Sequence, residues 1–432
     1  MLSPDDDVSL AIEKPAAGGR MIARHDGQIV FVSGAIPGER VRARVEQVRG
    51  GTVYAETTRV EESSPDRRQR GGDPACGGNV FAHVAYPRQL QLKAEIVADA
   101  FARIGKLPLD VSVPVRPSPE QGYRMRARLH VRAGRIGFFR EGTHDLCDAT
   151  TTGQLLPATN AILTVLQSRC VDGVASAVRE IELGENVPGT ERVLLIELAP
   201  GARRSEVERL PALFEMPGVT GLVLTRPEAP QFVAGRGRPH VDDVMDLAVD
   251  GRTVSVRLRR HVSAFFQGNR FLLQPLVESV LGVLPRGDLL DLYAGAGLFG
   301  VSFAAIGRGR VIAVEGDRQG AEDLAGNAAA LGGAVRVVPS SVESYLTRTP
   351  GHGAVTILVD PPRTGMSKEA ARMIVAARAP RVVYVSCDVA TLARDTRRFV
   401  DAGYRLSHIE AFDLFPNTAH VESLVVLDRD GA

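Results

Sequence analysis

The sequence predicts an α/β protein in three parts: a five-stranded N-terminal barrel (residues 1–62), a central α+β region (63–255) and a doubly wound C-terminal domain (256–432). Three observations predict this. At 432 residues the chain is too long for one ordinary domain. Its first 60 or so residues hold five short strand-like segments, at 8–12, 21–23, 28–32, 40–47 and 52–58, divided by turn signals such as Gly18-Gly19, Pro37-Gly38 and Gly50-Gly51. Strands that short and that closely spaced suit a barrel of the oligonucleotide-binding type. Finally, runs at 288–293, 310–314, 334–338, 356–359, 381–386 and 423–427 alternate with mainly helix-length stretches, the pattern of a doubly wound sheet.

Between these parts, the polar stretch 61–73 reads as a linker and 87–105 as an amphipathic helix. Residues 120–255 mix strand and helix patterns without a chemical motif. The 44% hydrophobic and 24% charged content is that of a soluble globular chain, and no apolar run reaches membrane length. The acidic start, Met1 to Asp7, is unlike a signal peptide, and four scattered cysteines give no disulfide framework. A cytoplasmic location follows as the expectation, with no membrane partner, no metal site, and a monomer as the simplest state. Net charge is +1, so the distribution of charge matters more than its total. Arg124, Arg126 and Arg128 alternate along an expected strand and so share one face, a candidate contact for a polyanion.

The C-terminal part carries the chemistry. Asp291-Leu292-Tyr293-Ala294-Gly295-Ala296-Gly297-Leu298-Phe299-Gly300 reads as a strand, a glycine turn and a helix start. Gly295 and Gly297 let the backbone approach a ligand closely. The next strand ends in Glu315, whose carboxylate can accept both hydroxyls of a ribose. The glycine spacing permits a dinucleotide or S-adenosylmethionine. Asp291 at the head of the loop is awkward beside a pyrophosphate and natural beside a sulfonium–amine ligand, which favours S-adenosylmethionine. Further on, Asp360-Pro361-Pro362-Arg363 ends one strand and Ser386-Cys387 ends the next. Carboxyl ends of strands are where ligands gather in open α/β sheets, so the Cys387 thiol is a candidate nucleophile rather than one more buried hydrophobe.

With these motifs in view, the C-terminal half closely resembles the RNA uracil-5-methyltransferase family, whose members make 5-methyluridine in ribosomal or transfer RNA. The resemblance covers Phe265-Phe266-Gln267-Gly268-Asn269, the glycine loop, Asp360-Pro361-Pro362-Arg363, Ser386-Cys387 with Thr391-Leu392-Ala393-Arg394-Asp395, and Phe415 to Glu422. It implies a Rossmann-like class I methyltransferase domain. The N-terminal barrel resembles the TRAM module that many ribosomal-RNA members carry and transfer-RNA members often lack. By resemblance, Cys387 attacks carbon 6 of the uracil and Glu422 removes the carbon-5 proton. Gln267, Tyr293, Glu315 and Ser341 line the cofactor site with Gly295 and Gly297, and Asp360 contacts base or cofactor. RNA is the expected partner, ribosomal RNA favoured and transfer RNA possible.

The chain departs from the family at its cysteines. Many relatives hold a four-iron cluster on four thiolates, three of them in a C-x₅-C-G-G-C run. In the corresponding stretch, 70–79, only Cys76 remains, with Cys147 matching the fourth. No iron–sulfur cluster is expected. Three other readings stay open. A cytosine-5-methyltransferase would carry Pro-Cys where Pro361-Pro362-Arg363 stands. A nicotinamide-dependent oxidoreductase leaves Asp360 and Cys387 unexplained. A non-catalytic RNA-binding protein would use only the barrel and the arginine-rich strand.

Overall fold

The computed structural model describes residues 2–69, 72–171, 175–227, 229–249, 251–349 and 356–429. Its N-terminal strands close a barrel in the order Asp7–Pro15, Met21–His25, Gln28–Ser33, Thr52–Glu62, Arg40–Arg49. Strict alternation builds it: Val8, Leu10, Ile12, Val41, Ala43 and Val45 point inward, while Arg40, Arg42 and Arg44 point out. Closure leaves no strand edge exposed. The polar stretch that follows is tied down, since the Arg67 guanidinium binds both oxygens of the buried Glu39 carboxylate at 2.6 Å.

The middle of the chain, where the sequence offered no motif, forms a seven-stranded sheet. Its order is Ala229–Gly237, Gly221–Arg226, Arg192–Leu198, Val178–Glu185, Arg126–Arg132, Arg135–Phe139, Leu146–Asp148. The Pro157–Val171 and Arg204–Phe214 helices accompany it. A hairpin, His240–Val249 with Arg252–His261, packs on the Leu273–Val283 and Arg318–Ala328 helices; its second strand runs through residue 255.

The C-terminal sheet has eight strands in the order Val335–Pro339, Val311–Glu315, Leu289–Leu292, Thr356–Val359, Arg381–Ser386, Glu422–Arg429, Tyr404–Phe412, Val115–Arg116. The first five are parallel, and Glu422–Arg429 runs antiparallel to its neighbours. Apolar runs are unbroken because both faces are covered: Val382 and Tyr384 enter one core, Val383 and Val385 the other. This is the expected doubly wound arrangement. Two strands were not foreseen. Tyr404–Phe412 lacks clean alternation because a bulge between Leu406 and His408 resets its register. Val115–Arg116 is a two-residue edge lent by a distant part of the chain. The Tyr86–Arg103 helix also packs here, against the Val389–Asp401 helix. No helix among the described residues is long and apolar enough to cross a membrane.

Candidate active site

Sheet register assembles the site. Leu292, Val314 and Val359 are aligned across three parallel strands, so Tyr293, Glu315 and Asp360 emerge side by side at their carboxyl ends. On the next strand pair, Val385 opposes Leu424 and Ser386 opposes Ser423. One more antiparallel step sets Cys387 across from Glu422.

The glycine loop departs from ordinary backbone as it leaves the sheet. Tyr293 sits at φ 63°, in the left-handed region that costs a non-glycine residue energy and that collects at functional sites. Gly297, at φ 93°, has no room for a side chain: a Cβ would lie 2.4 Å from Val301 Cγ2 and 2.7 Å from Leu324 Cδ1. Gly295 is open, with nothing nearer to a Cβ position than the Phe265 carbonyl at 4.0 Å. Its N–H donates to Glu315 Oε2 at 2.7 Å, while Glu315 Oε1 accepts from the Asp317 N–H at 2.6 Å. Ser341 closes this side as the cap of the Val342–Arg348 helix.

Three carboxylates converge. Asp291 Oδ2 accepts from the Gly300 N–H at 3.0 Å, and Oδ1 is buried without a protein partner. Burial, then the nearby Asp360 charge, pushes Asp291 up to about 8 against the pull of that N–H. Burial likewise raises Asp360 to about 7, opposed by a hydrogen bond from Gln267 and reinforced by Glu315. Carboxyls crowded this way ionise readily only beside a cation, which suits the amine and sulfonium of an adenosylmethionine-type donor and not a pyrophosphate.

Cys387 is half-buried, and burial and the Glu422 charge push its thiol up to about 12. The Arg363 guanidinium, within hydrogen-bonding reach, opposes this. Glu422 is buried with Oε1 unpartnered, and burial and Asp360 hold its carboxyl well above the usual range, again with Arg363 opposing.

Several residues here had no role assigned from sequence. Arg363 stood only inside a motif. Lys93, on the Tyr86–Arg103 helix, is fully buried; its ammonium pairs with Asp413 and donates to the Phe415 carbonyl at 3.0 Å and the His420 carbonyl at 2.8 Å. Gln89, one helical turn earlier, donates to Asn417 Oδ1 at 3.0 Å and accepts from the Asn417 N–H at 2.9 Å. Asn269 Nδ2 donates to the Leu414 carbonyl at 3.0 Å. These groups fix the Phe415-to-Glu422 segment. Lys93 and Gln89 on the apolar face of an amphipathic helix were the available signal.

Arg126 and Arg128 lie on one side of the Arg126–Arg132 strand, Arg124 stands just before its start, and each of the three is engaged. Arg124 Nη1 donates to Gln154 Oε1 at 2.7 Å, Arg126 pairs with Glu182, and Arg128 pairs with Glu180 at 2.9 Å. Arg126 also lies 5.7 Å above the ring of Phe265, which is 63% exposed.

Away from this site, Cys76 and Cys147 are joined as a disulfide with Cα atoms 5.7 Å apart, a pairing not foreseen from the sequence. Arg70 and Gly71 of the same stretch lie outside the described residues. Among the described residues no three Cys, His, Asp or Glu side chains are grouped to hold a metal ion. The four-thiolate donor set of an iron–sulfur cluster does not fit here.

Comparison with known proteins agrees with this chemistry. The tRNA (uracil-5-)-methyltransferase family profile matches residues 350–430, and the TRAM domain profile matches 8–58. A crystal structure of a tRNA (uracil-54, C5)-methyltransferase from Pyrococcus abyssi with S-adenosyl-L-homocysteine superposes with TM-score 0.76 at 22% identity, covering 97% of this chain and 100% of that one. An uncharacterized RNA methyltransferase of Streptomyces avermitilis is 32% identical over 98% of both chains. The 23S rRNA (uracil(1939)-C(5))-methyltransferase of Pseudomonas fluorescens is 32% identical over 98% of this chain and 92% of its own. Aligned almost end to end with such relatives and carrying their fold, the chain belongs to the family of S-adenosylmethionine-dependent RNA uracil-5-methyltransferases.

Proposed function

We propose that this enzyme methylates carbon 5 of a uridine in 23S ribosomal RNA, through a covalent bond between Cys387 and carbon 6. The observation that carries the mechanism is that Cys387 and Glu422, whose Oε1 is buried and unpartnered, flank the last pair of the register, Ser386 with Ser423, close enough to act on each other. S-adenosylmethionine, when bound, supplies an electrophilic methyl group. Gln267, Tyr293, Gly295, Gly297, Glu315, Ser341 and Asp360 would hold it, with Asp360 also facing the base.

Carbon 5 of uracil is a weak nucleophile. Addition of the Cys387 thiolate to carbon 6 pushes an electron pair through carbon 5 onto the carbon-4 oxygen as an enolate, splitting one hard step into two easier ones. Once carbon 5 carries its new methyl group, Glu422 takes the remaining carbon-5 proton. The electron pair of that C–H bond re-forms the 5,6 double bond and expels the thiolate. A uridine within folded RNA must first leave its stack. Arg124, Arg126 and Arg128 line a face along which the backbone would run, Arg128 being the most exposed.

Ribosomal RNA is preferred because curated relatives over 90% of whose length aligns act on 23S rRNA by name. Transfer RNA is the second reading, favoured by the Pyrococcus structure, whose match spans 97% of this chain and so takes in the barrel as well. We place the enzyme in the cytoplasm as a monomer without an iron–sulfur cluster; there the Cys76–Cys147 pair would be held reduced. Mass-spectrometric mapping of 5-methyluridine in both RNAs from a deletion strain tests the substrate. Loss of the mark from one 23S uridine is expected, and loss only from transfer RNA overturns the assignment. Stoichiometric iron and sulfide in anaerobically purified protein would exclude the cluster-free reading.

A further inference from the structure

Covalent attack needs a thiolate, yet the surroundings of Cys387 oppose one. Burial and two carboxylates, Glu422 and Asp360, all favour the neutral thiol. The sequence named no group able to reverse this.

The geometry points to Arg363 as the catalytic cation that favours the thiolate form of Cys387, on a loop held by a clamp to the Val389–Asp401 helix. This rests on the covalent reading above and adds a residue to which that reading gave no role.

The clamp is built in detail. The loop Arg363-Thr364-Gly365-Met366 follows the rigid Pro361-Pro362 pair and lies against the first turns of that helix. Thr391 Oγ1 donates to the Arg363 carbonyl at 3.4 Å, and Arg394 Nη2 donates to the Thr364 carbonyl at 3.3 Å. Asp395, fully buried, accepts from the Met366 N–H at 3.1 Å and from the Tyr384 hydroxyl at 3.1 Å. Its other oxygen accepts from Arg394 Nε at 2.9 Å and Arg398 Nη1 at 2.8 Å. Gly365, at φ 72°, has no space for a Cβ, which would meet Arg394 Nη2 at 2.6 Å and Asp395 Oδ2 at 2.9 Å. The same helix starts at Asp388, whose carboxylate caps the Thr391 N–H at 2.8 Å. Cys387 is the residue immediately before that cap. The nucleophile and the backbone of the loop that carries the cation are therefore fixed to one helix end.

Arg363 is also available. Among the described residues its guanidinium forms no ion pair within 4 Å, whereas Arg394 and Arg398 beside it are both committed to Asp395. The charged and titratable groups around the sulfur are Arg363, Glu422 and Asp360, with His420, Arg124, Asp388 and Lys93, the last paired with Asp413, beyond them. Burial holds His420 down to about 4, so its ring carries no charge at neutral pH. Arg124 is engaged with Gln154. Arg363 is the cation left to act on the thiol. The step is a simple ionisation: the thiol proton leaves to water and the sulfur keeps its electron pair beside the guanidinium. The same contact stabilises the sulfur again when elimination releases it.

The test is the pH dependence of Cys387 alkylation by iodoacetamide in RNA-free protein, read from the Cys387 peptide by mass spectrometry. An adjacent opposite charge moves an ionisation by about 1–3 pH units. Arg363→Gln should therefore move the alkylation profile to higher pH and slow it about tenfold or more at pH 8, with Arg363→Lys recovering most of the rate. Because no RNA is present, a role confined to phosphate contact would leave the profile where it was; superimposable profiles for Arg363→Gln and the parent overturn the proposal. Formation of a denaturation-resistant adduct with 5-fluorouridine RNA, lost in Cys387→Ala, reports separately on the nucleophile. An adduct that survives Cys387→Ala would remove the covalent role of this cysteine whatever Arg363 does.

Discussion

The ammonium of Lys93, in the first long helix of the chain, donates at 2.8 Å to the backbone carbonyl of His420, two residues before the candidate base Glu422. The pair joins a helix near the start of the chain to the segment that carries the proton acceptor.

That contact makes Lys93 a positioning residue. Lys93→Met should destabilise the fold by about 3–5 kcal/mol, since Asp413 would be left buried and unpaired. Lys93→Met with Asp413→Asn should recover much of this, in chemical denaturation followed by circular dichroism. Methylation should stay depressed in the double variant, because the carbonyl of His420 still lacks the donor that Lys93 supplied.

Activity should rise with pH. Both proposed catalytic groups work deprotonated, and burial holds both toward their protonated forms, Cys387 up to about 12 and Glu422 well above the usual carboxylate range. We expect kcat/KM for RNA methylation to climb from pH 6 to pH 9. A profile peaking below pH 7 would count against the assignment of these two groups.

Donor binding should follow the carboxylates. Asp291 and Asp360 sit near 8 and 7, well above an ordinary aspartate, so the free protein holds protons that a cationic ligand would expel. Calorimetric affinity for S-adenosylmethionine should strengthen between pH 6 and pH 8. Stability of the free protein should move the other way. The contribution of these raised groups is complete below pH about 4 and is lost as pH rises through 7 and 8. Asp291→Asn should flatten that decline.

Gly297→Ala tests the turn. A methyl group there must displace Val301 and Leu324 while adopting φ 93°. A loss of about 1–3 kcal/mol in stability is expected, together with weaker donor binding. Gly295→Ala meets no such wall, so it should weaken donor binding with less effect on stability.

Much of this was legible because local pattern and global fold agree. The barrel announced itself through short strands parted by glycine turns, and the C-terminal strands through apolar runs closed by chemically pointed residues: Glu315, Asp360, Cys387. What the sequence concealed was long-range. Nothing near Val115 says that it pairs with Ala411, and nothing near Lys93 says that its partner is Asp413. Cys76 and Cys147 read as the remnants of one ligand set, not as a bonded pair, yet their sulfurs meet. Arg363 was visible as a letter in a motif, but its bearing on a thiol more than twenty positions away depends on how the Val389–Asp401 helix folds back over its loop.

The pairing of Val115–Arg116 with Tyr404–Phe412, and of Lys93 with Asp413, also has a consequence in time. During synthesis the barrel can close as soon as its own strands have left the ribosome. The helix bearing Lys93 must wait, its ammonium still in water and its inner face uncovered, while more than 300 further residues are made. The enzyme thus acquires its proton acceptor and the lock that holds it in the same late event, and an incomplete chain has neither.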